Sequence, residues 1–172
     1  KAANYFADHT VFISSWLKTL DIYHKNKSSS LILNGADETI FNDFNNIAWN
    51  KEEKLRLVTH HWSGNVMKGF DIYERIDNMI SAKKWNERIE FTYIGNLPKN
   101  FNFKNSNHIK PINGVELARE LSQHHVYVTA SRNEPAGMHH IEGILCGVPI
   151  AYKNSGAIPE YCKRYPGLIF LI

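Results

Sequence analysis

The stretch His125-Val-Tyr-Val-Thr129-Ala-Ser-Arg-Asn-Glu134-Pro-Ala-Gly137-Met-His-His-Ile-Glu142-Gly-Ile-Leu-Cys146-Gly147-Val-Pro149-Ile-Ala-Tyr152 decides the fold. An apolar run rich in β-branched and aromatic residues stops at a polar loop. Pro135 and Gly137 then punctuate the start of a helix predicted over 137–145, and a second apolar run follows at 148–152. Strand, helix and strand in this order make one parallel crossover.

The same alternation extends outward in both directions. Apolar runs at 55–59, 90–94, 108–112 and from Leu168 onward read as further strands. Ile72, Tyr73, Ile76, Met79 and Ile80 fall on one face of a helix predicted over 71–84, and a second helix is predicted over 114–122. A helical turn is expected at 158–161. The fold class expected is therefore α/β: a Rossmann-like parallel sheet with helices on both faces. In such sheets the ligand sits beyond the carboxyl ends of the strands.

Residues before about 50 do not join the alternation. A short apolar run at 11–13 leads into a helix of about ten residues that Ser14 or Ser15 can cap. A polar break is expected over 25–30, a brief strand at 31–33 ending in Asn34-Gly35, and mostly loop over 37–50. The expected division is a linker over 1–50 leading in from a missing N-terminal domain, and a Rossmann-like domain over 51–172 that is cut off at its C-terminal end. The start lacks an initiator Met, and Gly167-Leu-Ile-Phe-Leu-Ile172 would leave a sticky strand at the end, so an excised piece of a larger protein is the expectation.

Composition narrows the function. With 43% hydrophobic and 22% charged residues the chain is an ordinary globular sequence of 172 residues. Twenty Lys+Arg against 17 Asp+Glu leave a formal charge of +3, too weak for a dedicated nucleic-acid footprint but suited to an anionic ligand. Cys146 and Cys162 are too few for a disulfide scaffold, and they read as reduced thiols of a cytoplasmic protein. No stretch approaches the roughly 20 apolar residues of a membrane span, and no signal peptide is recognisable.

The chemistry is expected in the loops that lead from strands into helices. Glu134 precedes the helix start and Glu142 lies eight positions later. Between them the first N–H groups of a helix have no internal partner, and a phosphate can accept from them. Spacing alone leaves a second reading open, in which Glu134 serves only the helix dipole and Glu142 is a surface residue. The apolar neighbours Ile141, Ile144 and Leu145 argue against the latter, because a carboxylate among them needs a partner. In the loop after the 55–59 strand, Ser63 and Gly64 can bring N–H groups to a phosphate and Lys68 can supply a point charge. The paired histidines at 60–61, 124–125 and 139–140 point in different directions when adjacent on a strand or helix, which argues against a metal site. No serine has the spacing of a nucleophilic triad.

These residues resemble the nucleotide-binding C-terminal domain of retaining GT-B glycosyltransferases of the group-one, family-four type. Glu134-Pro-Ala-Gly137 through Glu142, then Cys146-Gly147-Val-Pro149, matches that family's pair of glutamates separated by seven residues. Lys68-Gly69 matches its lysine–glycine after the first strand, and Asn154-Ser-Gly156-Ala-Ile-Pro159-Glu160 its Gly-x-x-Glu loop. Ser14-Ser-Trp16-Leu17 and Asn34-Gly35-Ala36-Asp37 match the stretch by which the chain enters the second domain.

The resemblance implies roles. Lys68 is expected on the donor diphosphate and Glu134 beside the donor sugar, these two being the catalytic candidates. The N–H groups of Gly137, Met138 and His139 are expected by the sugar and distal phosphate, and Glu142 on the ribose hydroxyls. Pro111 and Ile112 are expected to face the base. The arginine usual shortly before the lysine is missing, since the region reads His61-Trp62-Ser63-Gly64, so the second phosphate cation is absent or comes from elsewhere. Gly143 replaces a common alanine.

The implied activity is sugar transfer from a nucleotide diphosphate donor, UDP or GDP, to a glycan or lipid acceptor held by the missing domain, with retention and with no metal or other cofactor. A nucleotide-sugar epimerase of the same architecture and a non-catalytic nucleotide-binding module are the alternatives. A cytoplasmic location, at the inner face of a membrane if the acceptor is a lipid, goes with the first reading.

Overall fold

A computed structural model describes residues 5–23 and 28–163, and the backbone of 167–170. Residues 1–4, 24–27, 164–166 and 171–172 lie outside the described residues, and with them the start of the break expected over 25–30 and the end of the last expected strand.

Two sheets are present among the described residues. β1 (His9–Phe12) and β2 (Ser28–Leu31) form a small parallel pair, joined through α1 (Ser15–Thr19). The main sheet has six strands: β3 (Leu55–His61), β4 (Ile89–Gly95), β5 (Asn107–Ile109), β6 (Val126–Thr129), β7 (Ile150–Lys153) and β8 (Gly167–Phe170). Their spatial order is β5-β4-β3-β6-β7-β8, every neighbouring pair parallel. Counted from β3, this is the doubly wound order 3-2-1-4-5-6, with its reversal between β3 and β6.

Side-chain alternation along the strands builds a core on each face. Val58, Ile94, Tyr127 and Ile150 meet Leu117 and Leu121 of α4 (Gly114–Ser122). Behind them lies Ile158 of α6 (Ile158–Cys162). Phe91, Tyr93 and Val128 point the other way, onto Phe70, Ile72 and Tyr73 of α2 (Phe70–Ile80). Tyr73, Phe91 and Tyr93 are fully buried, each contributing roughly 2 to 3 kcal/mol of hydrophobic stabilisation. The short α3 (Lys83–Asn86) follows α2, and α5 (His139–Leu145) follows the β6 loop. Helices thus cover both faces of a parallel sheet, as the sequence predicts.

Several boundaries differ from expectation, each for a local reason. α1 is half the predicted length: Leu20 is extended, and the Thr19 hydroxyl closes the helix on the Trp16 carbonyl at 2.7 Å. Ser14 does cap it, accepting from Leu17 N at 3.4 Å. The polar Ser28-Ser-Ser30 is strand rather than break, because the imidazole of His9 spans the hydroxyls of Ser28 (2.8 Å) and Ser30 (3.0 Å) on an exposed pair of strands. The strand predicted over 108–112 stops at Ile109, before Pro111, which has no N–H for a ladder. α5 begins at His139 rather than Gly137.

The described residues before 50 are fastened to the main sheet. The Tyr161 hydroxyl donates to the Ile13 carbonyl and accepts from Asn34 N at 3.0 Å. Glu160 accepts from both the backbone N–H and the hydroxyl of Ser15, at 2.7 and 2.8 Å. Phe41 is buried in the core beside α4 and β6.

Candidate functional site

The register Leu57↔Val126 and Val58↔Tyr127 starts the loops after β3 and β6 side by side. Arg132 N donates to the Met67 carbonyl at 2.8 Å, tying the loops together. Gly69 has φ +89°, and a Cβ there would stand 2.4 Å from the Ala130 carbonyl oxygen, so only glycine lets the first loop cross this close to the second. Asn65 caps the turn before it by accepting from Met67 N at 2.9 Å. Lys68 is thereby aimed across the gap, with Nζ 2.6 Å from Glu134 Oε2.

Glu134 is held from behind. Ala157 N donates to its carbonyl at 2.8 Å, and a Cβ on Gly156 (φ +61°) would stand 2.4 Å from its backbone nitrogen. A Cβ on Gly137 would meet the His139 ring at 2.5 Å and the Glu134 carboxyl carbon at 2.9 Å. Glycine at 137 therefore lets the Glu134 carboxyl and the His139 ring approach one another, and α5 starts beyond it. Among the described residues the backbone N–H groups of Gly137 and Met138 have no partner.

A cleft of about 380 Å³ opens at the strand reversal. His60, Trp62, Ser63 and Lys68 form one side of it, and Gly137, Met138, His139 and Glu142 another. Ile94, Pro111, Ile112 and Leu117 make an apolar end. Of the sequence-predicted residues, Lys68, Ser63, Gly137, Met138, His139, Glu142, Pro111 and Ile112 therefore share one space. Glu134 lies in a neighbouring recess of about 260 Å³ that shares Ser63 and Lys68 with the cleft. Gly64 does not line the cleft: a Cβ there would stand 2.5 Å from the Leu97 carbonyl oxygen, so it serves the close approach of the β4 loop.

Two participants escape a sequence reading. His60 Nε2 lies 2.7 Å from Glu142 Oε2, supplying the partner that this carboxylate needs. Arg132 lines the recess beside Lys68 and pairs with Asp71, placing a second cation there from the β6 loop instead of the β3 loop.

His61, His139 and His140 are uncharged at neutral pH. Burial, reinforced by the Lys68 charge, holds His61 well below its ordinary 6.5, and burial followed by the neighbouring His61 does the same to His139. Burial pushes His140 down to about 4. His61 Nε2 meets the Tyr73 hydroxyl at 2.8 Å and His139 Nε2 the Thr129 hydroxyl at 3.1 Å, with the two rings 4.6 Å apart. Among the described residues no three His, Cys, Asp or Glu side chains gather where a metal ion could be held.

No protein-family model matches the sequence, and no curated protein does. Solved structures do match in fold. A sucrose-phosphate synthase from Thermosynechococcus elongatus superposes with a TM-score of 0.70 at 19% identity, covering 98% of this chain and 46% of that one. A glycosyltransferase from Rickettsia africae gives 0.68 at 15%, covering 88% and 46%. The pneumococcal O-GlcNAc transferase GtfA, in complex with UDP and GlcNAc, gives 0.67 at 16%, covering 90% and 31%. The chain thus spans half or less of the length of these structures. The likeness is one of fold: a Rossmann-like half of the GT-B architecture.

Proposed function

We propose that this chain is the donor-binding half of a retaining glycosyltransferase, a hexosyltransferase that takes its sugar from a nucleoside diphosphate. The observation that carries the reading is the single cleft at the strand reversal, where Lys68, the free N–H groups of Gly137 and Met138, and Glu142 converge beside an apolar end. A base fits against Pro111 and Ile112, a ribose against Glu142 and a diphosphate against Lys68. Glu134, in the adjoining recess, lies where the sugar beyond the diphosphate would extend. The structure of GtfA with UDP and GlcNAc supports the class of ligand, and the shared fold supports the class of enzyme.

Breaking the sugar–phosphate bond builds negative charge on the departing diphosphate. Fixed donors aimed at that charge lower the barrier because they need no reorganisation. Lys68 and the loop N–H groups supply them without any metal ion, and Arg132 adds a second positive charge nearby. Glu134 is placed to steady the sugar as positive character grows at its anomeric carbon. The acceptor, a glycan or lipid, is held by the other half of the architecture, so this chain alone binds donor without transferring it. The setting is cytoplasmic. No helix among the described residues is long and apolar enough to cross a membrane, and a lipid acceptor would be met at the membrane's inner face.

Melting the chain with UDP, GDP or ADP tests the reading. A ligand at one hundred times its dissociation constant stabilises by about 2.7 kcal/mol, so one of the three should raise the melting temperature by several degrees. No shift with any of them at millimolar concentration would refute donor binding. Labelled sugar moved to an acceptor by the full-length protein, with the anomeric configuration kept, supports transfer. Epimerised free sugar, or binding without turnover, would favour the alternatives.

A further inference from the structure

Glu142 does not stand alone in the cleft. Its Oε2 is engaged by His60 Nε2 at 2.7 Å, and the other ring nitrogen, Nδ1, lies 3.1 Å from the Tyr127 hydroxyl. That hydroxyl also accepts from His60 N at 3.2 Å. The His60 carbonyl lies 3.3 Å from the same hydroxyl, farther than Nδ1. With Glu142 ionised, Nε2–H donates to it, and Nδ1 of the neutral ring then accepts from the Tyr127 hydroxyl. The tautomer is thus assigned by the network around the ring.

Three elements clamp this imidazole. β3 carries it, the fully buried Tyr127 of β6 fixes one nitrogen, and Glu142 of α5 takes the other. The His139 ring stands edge-on at 6.2 Å, and Lys68 lies along the same cleft wall. Of the groups facing the ring, only Glu142 is acidic. Its side chain is 16% exposed, and among the described residues Oε1 has no partner.

A carboxylate on a free side chain samples several rotamers and must be ordered by its ligand, at a cost in affinity. With Oε2 fixed, Oε1 is presented to the cleft in one direction before any ligand arrives. We propose that His60, itself oriented by Tyr127, is a positioning residue that sets Glu142 to read ribose hydroxyls, so that the cleft selects ribonucleoside over 2′-deoxyribonucleoside diphosphates. This rests on the donor-binding reading above. It adds to that reading a residue and a selectivity that Glu142 alone does not imply.

Calorimetric titration with UDP and 2′-deoxy-UDP, and with GDP and 2′-deoxy-GDP, tests it on the wild-type chain and on His60→Leu, His60→Gln, Tyr127→Phe and Glu142→Gln. Melting each variant without ligand comes first. The wild type should prefer the ribonucleotide by about tenfold, the value of one hydrogen bond to a charged group. His60→Leu should bring that ratio close to one, by lowering ribonucleotide affinity more than 2′-deoxynucleotide affinity. His60→Gln, whose amide can still donate to Glu142, should restore part of it. Tyr127→Phe keeps the ring and its packing, so it carries the test if His60→Leu does not fold; it should lower the ratio about threefold.

A full ratio in His60→Leu and Tyr127→Phe, with loss of it only in Glu142→Gln, overturns the role of His60 and leaves the donor reading standing. Equal affinity for both sugars in the wild type overturns the selectivity. Absence of any nucleotide binding in the wild type removes the donor reading itself, and the inference with it.

Discussion

The ring of Tyr127 occupies the space that a side chain on Gly143 would need. A Cβ on Gly143 would stand 2.5 Å from Tyr127 Cδ2, and the hydroxyl at the far end of that ring lies against His60. The close approach of α5 to β6 and the orientation of the histidine that meets Glu142 are thus one packing problem. It explains the departure from alanine after the second glutamate: a large aromatic on β6 and a glycine on α5 fit together.

Gly143→Ala should therefore act beyond its own site. Overpacking of this kind costs about 1 to 3 kcal/mol, read as a lower melting temperature. Displacing Tyr127 should also weaken ribonucleotide binding. Adding Tyr127→Leu should recover the melting temperature but not the binding, since the space returns and the hydroxyl does not. If Gly143→Ala alone melts like the wild type, the packing account is wrong.

Lys68 and Glu134 hold each other at 2.6 Å, so each should shape the other's effect on binding. Lys68→Met should lower UDP or GDP affinity by about tenfold to a hundredfold, the range for lost charge-assisted hydrogen bonds. The bare nucleoside should bind as before. Glu134→Gln should tighten the free nucleoside diphosphate a few-fold by removing a carboxylate beside its phosphates. Equal losses for nucleoside and nucleoside diphosphate in Lys68→Met would take Lys68 off the phosphate.

Much of this was open to a reading of the residues. β3, β4, β6 and β7 announce themselves because they are largely buried and read as short apolar runs. Lys68 and Gly137 sit in the loops that leave β3 and β6, and Glu142 one turn into the helix that follows, so spacing along the chain is enough to bring them to one end of the sheet. What spacing does not carry is pairing between distant segments. His60 meets Glu142 across 82 residues and Tyr127 across 67, and nothing near His60 signals either contact. Arg132 was equally hidden, because its place beside Lys68 depends on two loops being laced through Met67. The strand at Ser28–Leu31 leaves no such signal, because it is polar and exposed and is held by an imidazole rather than by a core.

Gly69→Ala should show how much the site relies on that lacing. The backbone at φ +89° is strained for any residue with a Cβ, and the added methyl would stand 2.4 Å from the Ala130 carbonyl oxygen. A strained left-handed position costs about 1 to 3 kcal/mol before the clash is counted. The melting temperature should fall by several degrees, and nucleoside diphosphate affinity should fall with it, because the two loops can no longer hold Lys68 toward Glu134. Lowered stability with unchanged affinity would separate the loop crossing from the cation.

Acid should unfold the chain through its buried histidines. His140 is fully buried, both ring nitrogens are without a partner among the described residues, and its ring packs against His139 and Tyr161. Burial holds its pKa at about 4 against an ordinary 6.5, and His61 and His139 are also pushed well below that value by burial. Between those limits the unfolded chain binds more protons than the folded one, so stability is full above pH 6.5 and falls as the pH drops toward 4. For His140 alone the loss at pH 5 is about 2 kcal/mol. Melting temperatures taken from pH 7.5 to pH 5, above the range where ordinary carboxylates titrate, should fall steadily. His140→Leu removes both orphaned nitrogens and one of the titrations, so its curve should be flatter than the wild type's and cross above it at the acid end. Parallel curves would mean that His140 accepts its proton in the folded state, contrary to its full burial.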